Sequence, residues 1–126
     1  MHDTASPPDA RMLIALDVDG TLFDGRSVAT EAVEALTNAH RDGHLIVIVT
    51  GRRWDSLADV VPQIVALADR VVCEEGGVIV EPRSGTVELL APPAEPEVIA
   101  ALEAAGVAPL DVGLVVVGAP ATFLAE

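Results

Sequence analysis

Residues 12–22 read Met12-Leu13-Ile14-Ala15-Leu16-Asp17-Val18-Asp19-Gly20-Thr21-Leu22, and the rest of the chain is read from this stretch. Residues 12–16 form a nearly continuous apolar run, too short for a helix and closed by the turn pair Asp19-Gly20. Such a run predicts a strand buried on both faces. Further along, residues 30–41 carry apolar side chains at Ala32, Val33, Leu36 and Ala39. That spacing is helical, with Ser27 or Thr30 as a cap and Gly43 as the stop. Residues 45–49 are again continuously apolar and largely β-branched, and they end at Thr50-Gly51-Arg52. Residues 54–68 read as helical, with Pro62 starting a second segment or kinking the first. Residues 71–73 form a third short strand.

Strands alternating with helices predict an α/β fold with a parallel sheet. Right-handed crossovers then bring the carboxyl ends of the strands to one edge, just outside which such sheets bind ligands. Asp17, Asp19 and Thr50 all fall on that edge. After Glu75-Gly76-Gly77 the pattern changes. Residues 78–80 and 86–90 flank Pro82-Arg83-Ser84-Gly85 and predict a hairpin. A Pro-rich linker at 91–96, a short helix at 97–105 closed by Gly106, a strand at 114–117 and the start of a helix at 119–126 follow. Residues 1–10, polar and with Pro7-Pro8, read as a disordered lead-in.

Composition narrows the function classes. The 126 residues carry a net charge of -13, and all seven cationic residues are Arg, with no Lys. Such a chain repels nucleic acid and anionic lipid, so neither is an expected partner. Apolar residues make up 51% and aromatics 2%, so the core must be aliphatic. The lead-in lacks the basic and apolar blocks of a secretory signal, and no run is long enough to span a membrane; a cytoplasmic protein is expected. The lone Cys73 lies in an apolar run and reads as a small buried hydrophobe.

Two carboxylates two residues apart at a strand end, Asp17 and Asp19, converge once the chain turns at Gly20. A divalent cation would relieve their repulsion, and hard oxygen ligands favour magnesium. A carboxylate nucleophile beside a second carboxyl can split phosphoryl transfer into two steps. The pair alone is equally compatible with a solvated Asp-Gly turn. An EF-hand loop fails because Ala15 and Arg26 stand at its first and twelfth ligand positions. Thr50-Gly51-Arg52 adds a hydroxyl, an N–H and a guanidinium suited to phosphate at the end of the next strand.

Asp17-Val18-Asp19-Gly20-Thr21-Leu22 resembles the first motif of the haloacid dehalogenase superfamily, and Thr50-Gly51-Arg52 resembles its second. Residues 72–78 are similar to the Glu-Asn-Gly-Ala stretch of the sugar-phosphatase-like (Cof-like, type-IIB) branch, with Glu75 and Gly77 in place of Asn and Ala. The resemblance implies a Rossmann-like three-layer core, here its first half over residues 11–82, followed by the start of an α+β type-II cap over 83–126. It further implies a magnesium-dependent phosphohydrolase of a small phosphorylated metabolite, sugar phosphates foremost. Asp17 would be nucleophile and metal ligand, and Asp19 general acid/base and metal ligand. Thr50, Gly51 and Arg52 would bind the phosphoryl group, and Gly20 and Thr21 would shape the loop.

The family pattern also includes a Lys and a later acidic motif, and this sequence holds neither. A truncated and inactive chain is therefore expected, with its first strand at an exposed edge open to self-association or a complementing chain. Two other readings stand beside it: a non-catalytic binding module of the same fold, and a response-regulator receiver. The receiver requires an Asp at the end of the third strand, which residues 71–73 do not offer.

Overall fold

The computed structural model describes residues 10–121. The expected lead-in and most of the helix expected at 119–126 lie outside that range.

A five-stranded sheet of order β1-β2-β3-β4-β5 forms the body. Its first three strands, β1 (Leu13–Asp17), β2 (Leu45–Val49) and β3 (Arg70–Cys73), run parallel, with Asp17 opposite Val49 and Val49 opposite Val72. Strands β4 (Val78–Glu81) and β5 (Thr86–Leu89) continue it antiparallel. The crossover helices are α1 (Thr30–Arg41), then α2 (Trp54–Val60) and α3 (Pro62–Val65), two pieces because Pro62 cannot continue the first. Helix α4 (Pro96–Ala104) and a separate two-stranded pair, β6 (Asp111–Val112) and β7 (Val117–Gly118), complete the described chain.

The core is aliphatic. Ile46 and Ile48 of β2, Val71 and Cys73 of β3, and Val78 and Val80 of β4 are fully buried, together with Leu57, Val61 and Ile64 from the α2–α3 segment. Leu36 of α1 joins them, and Trp54 packs partly buried against the cluster. Burial pushes the Cys73 thiol up to about 11, with the neighbouring Glu74 charge adding to the effect. The thiol is therefore inert at neutral pH.

Three expectations are corrected. Strand β1 is not buried on both faces: among the described residues it is the sheet edge that the missing later motif implies, and Leu13 is 63% exposed. Apolar continuity reports a strand's composition but not whether a neighbour covers it. Neither Ser27 nor Thr30 caps α1. The cap position is Ala29, and the Ser27 N–H instead donates to Asp24 Oδ1 in the turn ahead of the helix. Residues 114–117 do not form one strand: residues 114–116 make the reversal between β6 and β7, only Val117 is in strand, and the Gly113 N–H donates to the Val116 carbonyl at 2.8 Å.

Candidate active site

The loop after β1 is wound around one carbonyl. Val18 is fully buried, and its oxygen accepts the N–H groups of Thr21, Leu22 and Phe23 at 3.1, 2.9 and 3.0 Å. Such a tight reversal needs a left-handed residue, supplied by Gly20 at φ +79. It sets Asp17 at the strand end and Asp19 at the mouth of the loop, with both side chains reaching solvent. Asp17 Oδ1 accepts the Val18 N–H at 2.8 Å. A small flap follows, held by Asp24 Oδ1, which accepts the N–H groups of Arg26 and Ser27. Those two bonds hold the Asp24 carboxyl below its usual range.

The parallel register places Thr50 directly after the residue opposite Asp17. Thr50 is buried, unusual for a hydroxyl at a strand end, and its N–H donates to Val72 of β3 at 2.9 Å. Its Oγ1 accepts the Arg52 N–H at 3.1 Å, which leaves the hydroxyl proton to donate outward. The expected residue Asp17 therefore ends β1, and Asp19, Gly20, Thr21, Thr50, Gly51 and Arg52 sit on the loops after β1 and β2.

One feature differs from the phosphate-facing Arg52 that the sequence suggests. Its guanidinium forks onto Asp19, Nε to Oδ2 and Nη2 to Oδ1, both at 2.8 Å. Nη1 donates to Ser56 Oγ at 3.1 Å, and the group stacks 5.9 Å from the Phe23 ring centroid. The hydrogen bonds from Arg52 hold the Asp19 carboxyl below its usual range, and the same pairing raises Arg52. Both side chains are substantially exposed, so the pair directs orientation more than stability.

Sequence reasoning missed Glu74. It is 3% exposed, and its carboxylate accepts three backbone N–H groups from the β6–β7 turn: Leu114 at 3.1 Å, Val115 at 3.0 Å and Val116 at 3.1 Å. Burial alone would push this carboxyl up, but the three amides and the Arg53 charge outweigh it and hold it below its ordinary value. Glu74 and Glu75 both adopt left-handed backbone, at φ +50 and +56. That costs non-glycine residues about 1–2 kcal/mol each. Backbone strain of this kind concentrates at functional sites. The only local signal was an acidic pair before Gly76-Gly77, which any solvated turn also shows.

Gly113 is the counterpart of this clamp. A Cβ there would collide with the Glu74 carboxylate, which its three amides prevent from moving aside. Gly113→Ala is expected to destabilise the fold by about 1–3 kcal/mol, read as a lowered urea midpoint. Gly51→Ala also meets a carboxylate, that of Glu75, but this side chain is exposed and can swing away. Its cost is expected to stay below about 1 kcal/mol.

A sequence profile of the haloacid dehalogenase-like hydrolases matches residues 14–105. This chain belongs to that family. Among solved structures, a haloacid dehalogenase-like hydrolase from Bacteroides thetaiotaomicron shares its fold with a TM-score of 0.65 at 21% identity, over 75% of this chain and 36% of the other. A haloalkanoate-superfamily phosphatase from the same organism is 30% identical, with a TM-score of 0.56 over 83% of this chain and 39% of its own. A subclass IIB sugar phosphatase is 27% identical, with a TM-score of 0.59 over 87% and 44%. The chain thus spans about 36–44% of the length of these solved relatives. No curated protein sequence gives a significant match. Part of the haloacid dehalogenase-like core is present, as a mixed, parallel-led sheet with the two motif loops at its carboxyl edge. None of the described helices is long and apolar enough to cross a membrane.

The residues present fit a magnesium ion in part. Asp17 offers an exposed carboxylate, and among the described residues the Asp19 carbonyl accepts no hydrogen bond. Both Asp19 carboxylate oxygens, in contrast, are taken by Arg52. Among the described residues no three His, Cys, Asp or Glu side chains gather as a metal shell. The described residues therefore supply donors for one side of the cation only.

Proposed function

We infer that this chain supplies the nucleophile half of a magnesium-dependent phosphohydrolase acting on a small phosphorylated metabolite, a sugar phosphate foremost, through an aspartyl phosphate on Asp17. The observation that carries this reading is the register that sets Asp17 and Thr50 at the ends of neighbouring parallel strands. Membership of the hydrolase family and the likeness to a subclass IIB sugar phosphatase support it.

In this reading the Thr50 hydroxyl and the Gly51 N–H hold phosphoryl oxygens. An Asp17 carboxylate oxygen attacks phosphorus as the ester P–O bond breaks, and Asp19, having taken up a proton from solvent once Arg52 has left it, delivers that proton to the departing alkoxide. Asp19 then takes a proton from water, which attacks phosphorus and releases orthophosphate from Asp17. Asp19 can do neither while Arg52 occupies both its oxygens, so the guanidinium must first swing away, and an incoming phosphoryl group gives it another anion to grip. Magnesium, held by the Asp17 carboxylate and the Asp19 carbonyl, would offset the negative charge where nucleophile and phosphate meet.

The 126 residues contain no Lys and no later Gly-Asp-x-x-x-Asp motif, and removing one electrostatic stabiliser commonly costs about a hundred- to a thousandfold in rate. Alone, they are expected to bind a phosphoryl mimic while turning over poorly. Residues 83–126 would begin a type-II cap. Isothermal titration with magnesium and beryllofluoride tests the reading: binding is expected for the chain as it stands and at least tenfold weaker binding for Asp17→Asn. Equal affinities would remove Asp17 from the site, and no heat from either would favour a non-catalytic module.

The exposed edge strand supports a second reading, that two copies associate through β1. Met12 is 49% and Leu13 63% exposed beside backbone groups that carry no neighbouring strand among the described residues. Sedimentation velocity over a concentration series is expected to show reversible association that Leu13→Arg suppresses. A monomer at every concentration would contradict it.

A further inference from the structure

The Gly51 backbone lies against the Glu75 side chain: a Cβ built on Gly51 would meet Glu75 Oε1, with Cδ at 3.1 Å. Glu75 is therefore directed over the Thr50-Gly51-Arg52 loop, and only a glycine at position 51 leaves room for its carboxylate there. The backbone that aims it is left-handed at three residues running, Glu74, Glu75 and Gly76. This turn is tied down on both sides of Glu75. The Glu74 N–H donates to the Arg52 carbonyl at 3.0 Å, and the Gly77 N–H donates to the Glu74 carbonyl at 3.0 Å. The Glu74 side chain is anchored in turn by the amides of residues 114–116. Glu75 itself is exposed, and among the described residues its carboxylate takes part in no hydrogen bond or ion pair. An unpaired acceptor on a tied-down backbone thus overhangs the loop.

We propose that Glu75 is a specificity-determining residue whose carboxylate accepts hydrogen bonds from hydroxyl or ammonium groups on the alcohol part of the substrate. The site then favours phosphate monoesters that carry such donors, sugar phosphates and amino-alcohol phosphates among them, and disfavours those that carry a carboxylate. The inference rests on the reading of Thr50 and Gly51 as phosphoryl-binding groups. A phosphoryl group held at Gly51 brings the first carbons of its ester within reach of Glu75. Repulsion between Glu75 and the phosphoryl group itself is common to every substrate and cancels between them. What differs is the next group along: a donor is attracted to the carboxylate, and a second carboxylate is repelled.

The test is a set of titrations of the 126-residue chain followed by amide NMR shifts, with orthophosphate, O-phosphoethanolamine and phosphoglycolate as probes. Three proteins are compared: the chain as it stands, Glu75→Gln and Glu88→Gln. Glu88 is exposed on β5, three strands from β2, and its substitution makes the same charge change away from the loop. The chain as it stands is expected to bind O-phosphoethanolamine about tenfold more tightly than phosphoglycolate. Glu75→Gln is expected to bring the two within about threefold while retaining orthophosphate, and Glu88→Gln to leave the preference in place. Orthophosphate binding without any preference, or a preference that survives Glu75→Gln, would overturn this inference alone. Failure of all three proteins to bind orthophosphate would overturn the phosphoryl-site reading and this inference with it.

Discussion

Replacing Glu74 with Ala is expected to lower the unfolding free energy by about 2–4 kcal/mol and to free the β6–β7 turn. Three backbone N–H groups, from Leu114, Val115 and Val116, converge on this one carboxylate, which is almost fully buried. Truncation removes one charged acceptor shared by three donors, and hydrogen bonds to a charged group are the stronger ones. Hydrogen exchange should show the loss first at those three amides, ahead of the sheet. The pH dependence has a definite sign. The folded carboxyl lies below its ordinary value of 4.5, so its contribution is fully present above 4.5 and is lost as pH falls through the lowered folded value. Urea midpoints should therefore drop on acidification below about 4.5 more steeply in the native chain than in Glu74→Gln, which has no carboxyl to protonate.

Asp17→Asn should abolish phosphoryl capture, by at least about a thousandfold, with little effect on the fold. A carboxamide oxygen is a poor nucleophile toward phosphorus and cannot form the acyl phosphate. Stability should change by no more than about 0.5 kcal/mol, because the one hydrogen bond that the side chain makes among the described residues, from the Val18 N–H to Oδ1, can be kept by an Asn oxygen. Intact-mass detection of phosphorylated chain after exposure to acetyl phosphate measures capture, and a thermal melt measures the fold. Unaltered phosphorylation would place the nucleophile elsewhere.

The local elements were largely legible in the sequence. The 3.6-residue period of Ala32, Val33, Leu36 and Ala39 gives α1 with its observed ends, and the β-branched run at 45–49 gives β2. Pro62 divides the following helix as its missing N–H requires. Boundaries drifted where propensity competes with tertiary ties. Strand β1 runs one residue further than its apolar run, to Asp17, because Asp17 still pairs with Val49. The turn at residues 113–116 reads as a strand because Leu114, Val115, Val116 and Val117 are apolar. What bends it is a carboxylate forty positions earlier.

The site divides the same way. The residues at strand ends could be placed from strand order and parallel crossovers alone, since those rules fix which edge receives Asp17, Asp19, Thr50, Gly51 and Arg52. The contacts among them could not. The Arg52 fork onto Asp19 spans 33 positions and depends on where two loops point, which no periodicity encodes. Glu74 escaped for a related reason: a buried carboxylate is costly unless donors are brought to it, and its donors lie in a segment with no polar side chain to announce them.

Phosphoryl capture on Asp17 requires that the two motif loops grip one phosphoryl group together. A crystal structure of the chain grown with magnesium and beryllofluoride measures this most directly. Beryllium is expected on the Asp17 carboxylate, with its fluorides in hydrogen-bond contact with the Thr50 hydroxyl and the Gly51 N–H, and with Arg52 released from Asp19. Beryllofluoride bound at another carboxylate, or bound at Asp17 with Thr50 out of hydrogen-bond reach, would contradict it.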